Sequence, residues 1–182
     1  ITCDHEHVPL AILESLEAAG VSVQPPSRAL AFAQNKLHMR LRLHELGLPM
    51  PVWAEIQTED DLQEFLNANG GVCVLKTPIG GYDGKGVKVL PDAQAERFDA
   101  PCVLEKAVDI DKELSVIVAR NPSGEVATFP VVEAVFDPVA NLVDCLVAPA
   151  AIEQNQVTEA QSLAIRVAEA MDFRGLLAKV GT

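Results

Sequence analysis

The stretch from Val72 to Leu90 constrains this chain more than any other part of it. It reads as a buried strand over 72–76, a loop with glycine at 80, 81, 84 and 86, and a second strand over 87–90. Four glycines in seven residues let successive backbone N–H groups converge on one point, an arrangement that attracts anions. Lys76 and Lys85 bracket the loop and can neutralise negative oxygens. The bland alternative is a flexible hairpin tip with incidental lysines, but a tip rarely needs this many glycines beside a lysine-bearing buried strand. Known phosphate loops narrow the choice. A Walker A loop runs GxxxxGK, then Ser or Thr, then a helix; here Gly86 follows Lys85 and the next residues are β-branched. The dinucleotide fingerprint fails on the spacing of Gly81, Gly84 and Gly86 and on the missing helix. Protein kinases also cover ATP with a strand–glycine loop–strand, but their lysine follows the loop and an HRD segment comes later. Here Lys76 precedes the loop and no HRD occurs.

The surrounding pattern is mixed. Pro9, the apolar Leu10, Leu13 and Leu16 and the stop at Gly20 predict a helix over 8–20. A short strand at 21–23 and a rigid Gln24-Pro25-Pro26 linker come next. Ser27 is placed to cap one long helix to Gly47, with Leu30, Leu37, Leu41 and His44 or Leu48 along it. Strands are expected at 52–56 and 102–106, and a helix opened by a Thr58/Asp61 capping box runs to Asn69-Gly70-Gly71. Then the style changes to strands at 113–120, 125–135 and 142–147, separated by Asn121-Pro122-Ser123-Gly124 and a turn over 137–141, which together predict an antiparallel meander. Thr158 with Gln161 is expected to cap a helix to Asp172, and a last strand starts at Gly175. The fold class expected is α+β with an α/β opening, in two small lobes.

Composition excludes some functions. With 49% hydrophobic residues in 182, a packed core is affordable and disorder is not expected. A net charge of -12 speaks against non-specific nucleic-acid or anionic-membrane binding, yet allows a nucleotide pocket built from a few local cations. No run of 18 apolar residues predicts a membrane span. The four cysteines form no CxxC pair and three lie in apolar runs, so a reducing cytoplasm is the simplest reading.

Two further constellations bear on chemistry. Val103-Leu104-Glu105-Lys106-Ala107-Val108 is a short apolar strand that could serve as an interlobe hinge, its backbone reading an adenine edge, with Glu113 able to accept ribose hydroxyls. Alone the signal is weak, because Glu-Lys at a strand end is usually solvated. Cys3, His5 and His7 alternate, and on an extended strand would share one side like half a zinc site; no fourth ligand is suggested, so no metal site is assigned. Lys36, His38, Arg40, Arg42 and His44 could bind a phosphorylated ligand, but they spread around a helix and read better as a solvated face.

A lysine strand, a glycine flap and an antiparallel second lobe together point to the ATP-grasp class. More specifically, Thr2-Cys3-Asp4-His5-Glu6-His7-Val8-Pro9, Gln24-Pro25-Pro26, Asn35-Lys36-Leu37, and Lys76 with Gly80-Gly81-Tyr82-Asp83-Gly84-Lys85-Gly86 resemble the N5-carboxyaminoimidazole ribonucleotide synthetase family. Glu113-Leu114-Ser115-Val116-Ile117-Val118-Ala119-Arg120, Pro130-Val131-Val132-Glu133 and Ala148-Pro149-Ala150 continue the resemblance in the same order, over essentially the whole chain. It implies a cytoplasmic ligase of purine biosynthesis, the ATPase part of phosphoribosylaminoimidazole carboxylase. With ATP and Mg²⁺, bicarbonate is phosphorylated to carboxyphosphate and the amine of aminoimidazole ribonucleotide is carboxylated. Carried over by position, Lys36 and Lys76 contact ATP phosphates, and Gly80, Gly81, Gly84, Lys85 and Gly86 close over them. Glu105, Lys106, Ala107 and Val108 hold the adenine and Glu113 the ribose, while Tyr82 and Asp83 face bicarbonate and the imidazole ribonucleotide. The resemblance allows a homodimer. It divides the chain into the end of a Rossmann-like domain (1–26), a linker helix and small lobe (27–108), and the first part of a large lobe (109–182). The departures matter too. The family's metal-binding glutamates belong to the strand begun at Gly175 and to a later segment, and Val180 stands about where the first acid would be. The chain is thus expected to be a piece of a longer enzyme, without Mg²⁺ ligands and inactive alone. Glu133-Ala134-Val135-Phe136 also replaces a Glu-Asn-x-His pattern. The alternatives are a non-catalytic nucleotide-binding module and another ATP-grasp ligase, formate-using or biotin-carboxylase-like; Tyr82-Asp83 speaks against the latter.

Overall fold

The computed structural model describes residues 1–3, 5–80, 86–90, 101–137 and 142–181. They form two compact units, one of Ala31–Asp109 and one of Ile1–Leu30 with Ile110–Thr182.

In the first unit, strands β1 (Trp53–Ile56), β2 (Cys73–Lys76), β3 (Val87–Leu90) and β4 (Cys102–Lys106) make an antiparallel sheet in the order β1-β4-β2-β3. Period-two alternation sorts their side chains. Ile56, Cys73, Leu75, Leu90, Cys102 and Leu104 share a buried cluster with Leu62, Phe65 and Leu66 of the helix Glu59–Asn69. Each fully buried leucine of this set contributes on the order of 1.5–3 kcal/mol. That helix, α4 (after α1 Leu10–Ala18, α2 Ser27–Gln34 and α3 Lys36–Glu45), opens as expected: the Thr58 hydroxyl accepts from the Asp61 N–H, and the Asp61 carboxylate accepts from the Thr58 N–H at 2.7 Å. The other sheet face carries Val74, Lys76, Val103 and Glu105.

The long helix expected from Ser27 to Gly47 is two helices, α2 (Ser27–Gln34) and α3 (Lys36–Glu45). The break is at Asn35, whose extended backbone (φ -130) lets its side chain accept from the N–H groups of Leu37 and His38. An internal N-cap of this kind offsets part of the cost of interrupting a helix. Ser27 does not cap with its own oxygen. Its N–H and hydroxyl both donate to the Glu17 carboxylate, at 2.9 and 2.6 Å, and these bonds hold that carboxyl below its usual pKa.

In the second unit, β5 (Glu113–Arg120) is central. One edge pairs with β9 (Gly175–Gly181) and the other with β6 (Val126–Thr128) and then β7 (Val132–Asp137), while β8 (Leu142–Val147) pairs with β7. The single strand expected over 125–135 is therefore two pieces laid end to end beside β5, and β9 makes the arrangement something other than a simple meander. Phe129-Pro130-Val131 interrupts it, since Pro130 has no N–H to donate to a ladder. Asn121 closes the β5–β6 turn, its side-chain oxygen accepting from Glu125 N–H and the Ser123 hydroxyl. The last helix, α5 (Gln154–Ala170), starts earlier than expected: Gln156 accepts from the Glu153 N–H, and Thr158 lies inside the helix donating to the Gln154 carbonyl. Helix α1 (Leu10–Ala18) packs Leu13 against Val23 and Leu30. Residues 21–23 form no strand; their neighbour Gln24 makes one isolated parallel bridge to Thr2. No described helix is long and apolar enough to cross a membrane.

Candidate functional site

Lys76 and Glu105 become neighbours through strand register. Lys76 lies opposite Val103 and Val74 opposite Glu105, so the two charged side chains are diagonal on one face, within reach of each other. Lys76 Nζ donates to Glu105 Oε2 at 2.7 Å. The second Glu105 oxygen accepts from Arg40 Nε of α3 at 2.6 Å. Glu105 is only 5% exposed, and burial alone would push its carboxyl pKa up. The hydrogen bonds and charges of Arg40 and Lys76 outweigh that and hold it below 4.5. Glu105 is therefore not the solvated strand-end residue of the bland alternative, because α3, which local sequence does not place, covers the strand end.

The break at Asn35 decides what the start of α3 can reach. Lys36 sits at the first position of that helix. Its N–H donates to the Pro78 carbonyl at 2.8 Å and its Nζ to the Gly80 carbonyl at 2.5 Å, so one residue grips the entrance of the glycine loop twice. The far end is fixed by Thr77, whose N–H donates to Gly86 O at 2.9 Å. Gly80 (φ +77) and Gly86 (φ +76) both take the left-handed conformation that glycine adopts without strain. Gly81, Tyr82, Asp83, Gly84 and Lys85 lie outside the described residues.

Lys36 and Arg40 are four residues apart and so share a helix face, which corrects the expectation of a uniformly solvated cationic helix. The spacing was visible; its direction was not. His38 and His44 do remain exposed, His44 meeting the Trp53 ring edge-on at 6.2 Å. Arg40, which the sequence offered only as part of a solvated cationic face, is the residue whose placement was not foreseen. Two cations, Arg40 and Lys76, share the Glu105 carboxylate, and Lys36 adds a third positive charge on the Gly80 carbonyl, so these four side chains together carry an excess of positive charge. Burial, and then the charge of Lys76, lower the Lys36 pKa from 10.5.

Beyond Glu105 the backbone is partly committed. The N–H groups of Lys106 and Ala107 donate to the carbonyls of Val52 and Val72, both at 2.9 Å, while Val108 is 46% exposed. Glu113, in the other unit, begins β5 opposite Ala134 and is half-buried. Residues 5–8 bend, His5 Nδ1 accepting from His7 N–H at 3.1 Å, so Cys3, His5 and His7 are not the extended row that sequence spacing suggested. Among the described residues no three His, Cys, Asp or Glu are grouped to hold a metal ion.

Comparison with known proteins decides the family. Residues 41–179 match the ATP-grasp domain. The chain belongs to the ATP-grasp family. Among members of this family it is similar to N5-carboxyaminoimidazole ribonucleotide synthase of Mycobacterium tuberculosis, at 41% identity over 98% of this chain and 43% of that protein. Solved structures agree. The Aspergillus clavatus carboxyaminoimidazole ribonucleotide synthase complexed with ATP superposes with a TM-score of 0.87 and 28% identity, over 98% of this chain and 48% of its own. The Aspergillus clavatus enzyme with ADP and 5-aminoimidazole ribonucleotide gives 0.83 and 26%, with the same coverage of 98% and 48%. This ATP-grasp chain spans less than half the length of the relatives it matches.

Proposed function

We propose that this chain is the nucleotide-binding part of a ligase that carboxylates 5-aminoimidazole ribonucleotide with bicarbonate and ATP, through carboxyphosphate, in purine synthesis. The observation that carries the reading is the Lys36–Arg40–Lys76–Glu105 cluster beside the glycine loop, whose excess positive charge suits a polyphosphate. The solved relatives hold ATP, or ADP with 5-aminoimidazole ribonucleotide.

Within this proposal Lys36 and Lys76 contact the nucleotide phosphates, and the loop containing Gly81, Gly84 and Lys85 covers them. The adenine edge falls to the 105–108 segment, chiefly through Val108 and backbone carbonyls, because the Lys106 and Ala107 N–H groups are engaged elsewhere. Glu113 takes the ribose hydroxyls; Tyr82 and Asp83 face bicarbonate and the imidazole ribonucleotide. Phosphoryl transfer of this kind asks the protein mainly for positioning, charge neutralisation and exclusion of water. Mg²⁺ accompanies ATP, with no ligand assigned among these residues. The division into 1–26, 27–108 and 109–182 follows the same resemblance. A reducing, cytoplasmic setting is supported by four free cysteines. A homodimer is supported by the exposed Leu142 and Leu146 of the edge strand β8.

Calorimetric titration with ATP tests the reading. We expect micromolar affinity, about -8 kcal/mol, weakened at least tenfold in Lys76→Ala because a charge-assisted contact is lost. A folded chain that binds no ATP overturns it.

A further inference from the structure

The Arg40–Glu105–Lys76 arrangement carries an inference beyond nucleotide contacts, resting on the reading that Lys76 meets phosphate. We propose that Arg40, which need not touch the nucleotide, is a positioning residue. It keeps the Glu105 carboxylate in place and compensated when Lys76 shifts from that carboxylate toward a phosphate.

The geometry separates the two cations. Lys76 is the partner placed to be shared: it is rooted at the end of β2 next to Thr77 and the glycine loop, and it holds Glu105 through one ammonium contact of 2.7 Å. Arg40 lies on a different element, away from the loop. Its side chain is 20% exposed, it projects from the middle of α3, and its Nε lies 2.6 Å from the other carboxylate oxygen. The charged groups facing Glu105 are Arg40 from α3 and Lys76 from β2, while its register neighbours on the adjoining strands, Trp53 and Val74, carry no charge. Were Lys76 the sole counter-charge, drawing it to a phosphate would strand a carboxylate that is 5% exposed, a penalty subtracted directly from nucleotide affinity. The guanidinium removes that penalty. Lysine and arginine therefore divide the work: a compact ammonium that can be shared with a ligand, and a planar group that stays on its carboxylate.

Without Arg40, the buried carboxylate has one other way to lose its charge, which is to take up a proton as Lys76 moves away. The experiment is ATP calorimetry at pH 6 in two buffers of different ionisation enthalpy, on the wild-type chain, Arg40→Met and Arg40→Lys. Arg40→Met is expected to bind about tenfold more weakly and to take up a fraction of a proton more per ATP than wild type; Arg40→Lys is expected to restore most of both. A folded Arg40→Met chain with wild-type affinity and unchanged proton uptake overturns the inference and leaves the ATP reading intact. Absence of ATP binding in the wild type overturns the ATP reading itself, and with it this one. A second measurement reads the wild-type carboxylate directly and does not depend on an Arg40 variant. With ¹³C-labelled glutamate, assigned through Glu105→Gln, the Glu105 Cδ resonance of the wild type is expected to stay at its ionised position when ATP is added at pH 6. A move to the protonated position overturns the proposal.

Discussion

A carboxylate that is 5% exposed yet ionised ties stability to pH in a direction that can be stated. Glu105 has its pKa below the ordinary 4.5 in the folded chain, so the unfolded chain binds more protons in that window and acid favours unfolding. Its contribution is complete above about pH 4.5 and is lost as pH falls through the lower folded value. The urea midpoint should therefore drop on acidification, and less steeply in Glu105→Gln. That substitution itself should cost about 3 kcal/mol at neutral pH, because it leaves two partly buried cations facing a neutral group. Lys36 behaves in the opposite sense toward a ligand. Burial and Lys76 lower its pKa from 10.5, whereas a phosphate would favour the ammonium. ATP affinity should then fall as pH rises toward 10, with proton uptake on binding, and titrations across pH 7 to 10 should show this dependence diminished in Lys36→Met.

At the scale of elements, the informative feature is a break rather than a helix. Asn35 ends α2 and caps α3, and only because α3 restarts there does Lys36 donate to both Pro78 and Gly80. Asn35→Ala should lower stability by about 1 kcal/mol, the usual loss for an N-cap, and should weaken ATP binding as well; Asn35→Asp, which keeps the accepting oxygen, should recover both in urea unfolding and calorimetry. The break was hard to read because apolar residues continue through it, and hydrophobic period dominates any helix expectation. Where signals agree, elements were legible to the residue. Thr58 and Asp61 satisfy each other's N–H groups and start α4 where expected, β5 ends where expected at the turn closed by Asn121, and β8 keeps its expected limits. Where two caps compete, as Glu153/Gln156 against Thr158/Gln161, the geometry that satisfies the orphan N–H groups first wins.

For the molecule as a whole, the Ala31–Asp109 unit rests on a core of its own. Leu104, fully buried in it, lies one residue before Glu105 on the opposite face, so packing and charge placement share a strand. Leu104→Ala should cost about 3 kcal/mol and speed amide exchange in β1, β2 and β4, measurable by mass spectrometry. By itself the sequence determined the two strands that flank the glycine loop and the antiparallel strands of the second unit. Each of these is a local matter of backbone freedom, alternation or spacing. Only the tertiary structure decided that Glu105 is buried, that Arg40 is its second partner and that Lys36 reaches the Gly80 carbonyl. Those facts depend on which helix covers which face of a sheet. Arg40 and Glu105 are 65 residues apart, and no periodicity within either segment carries information about the other.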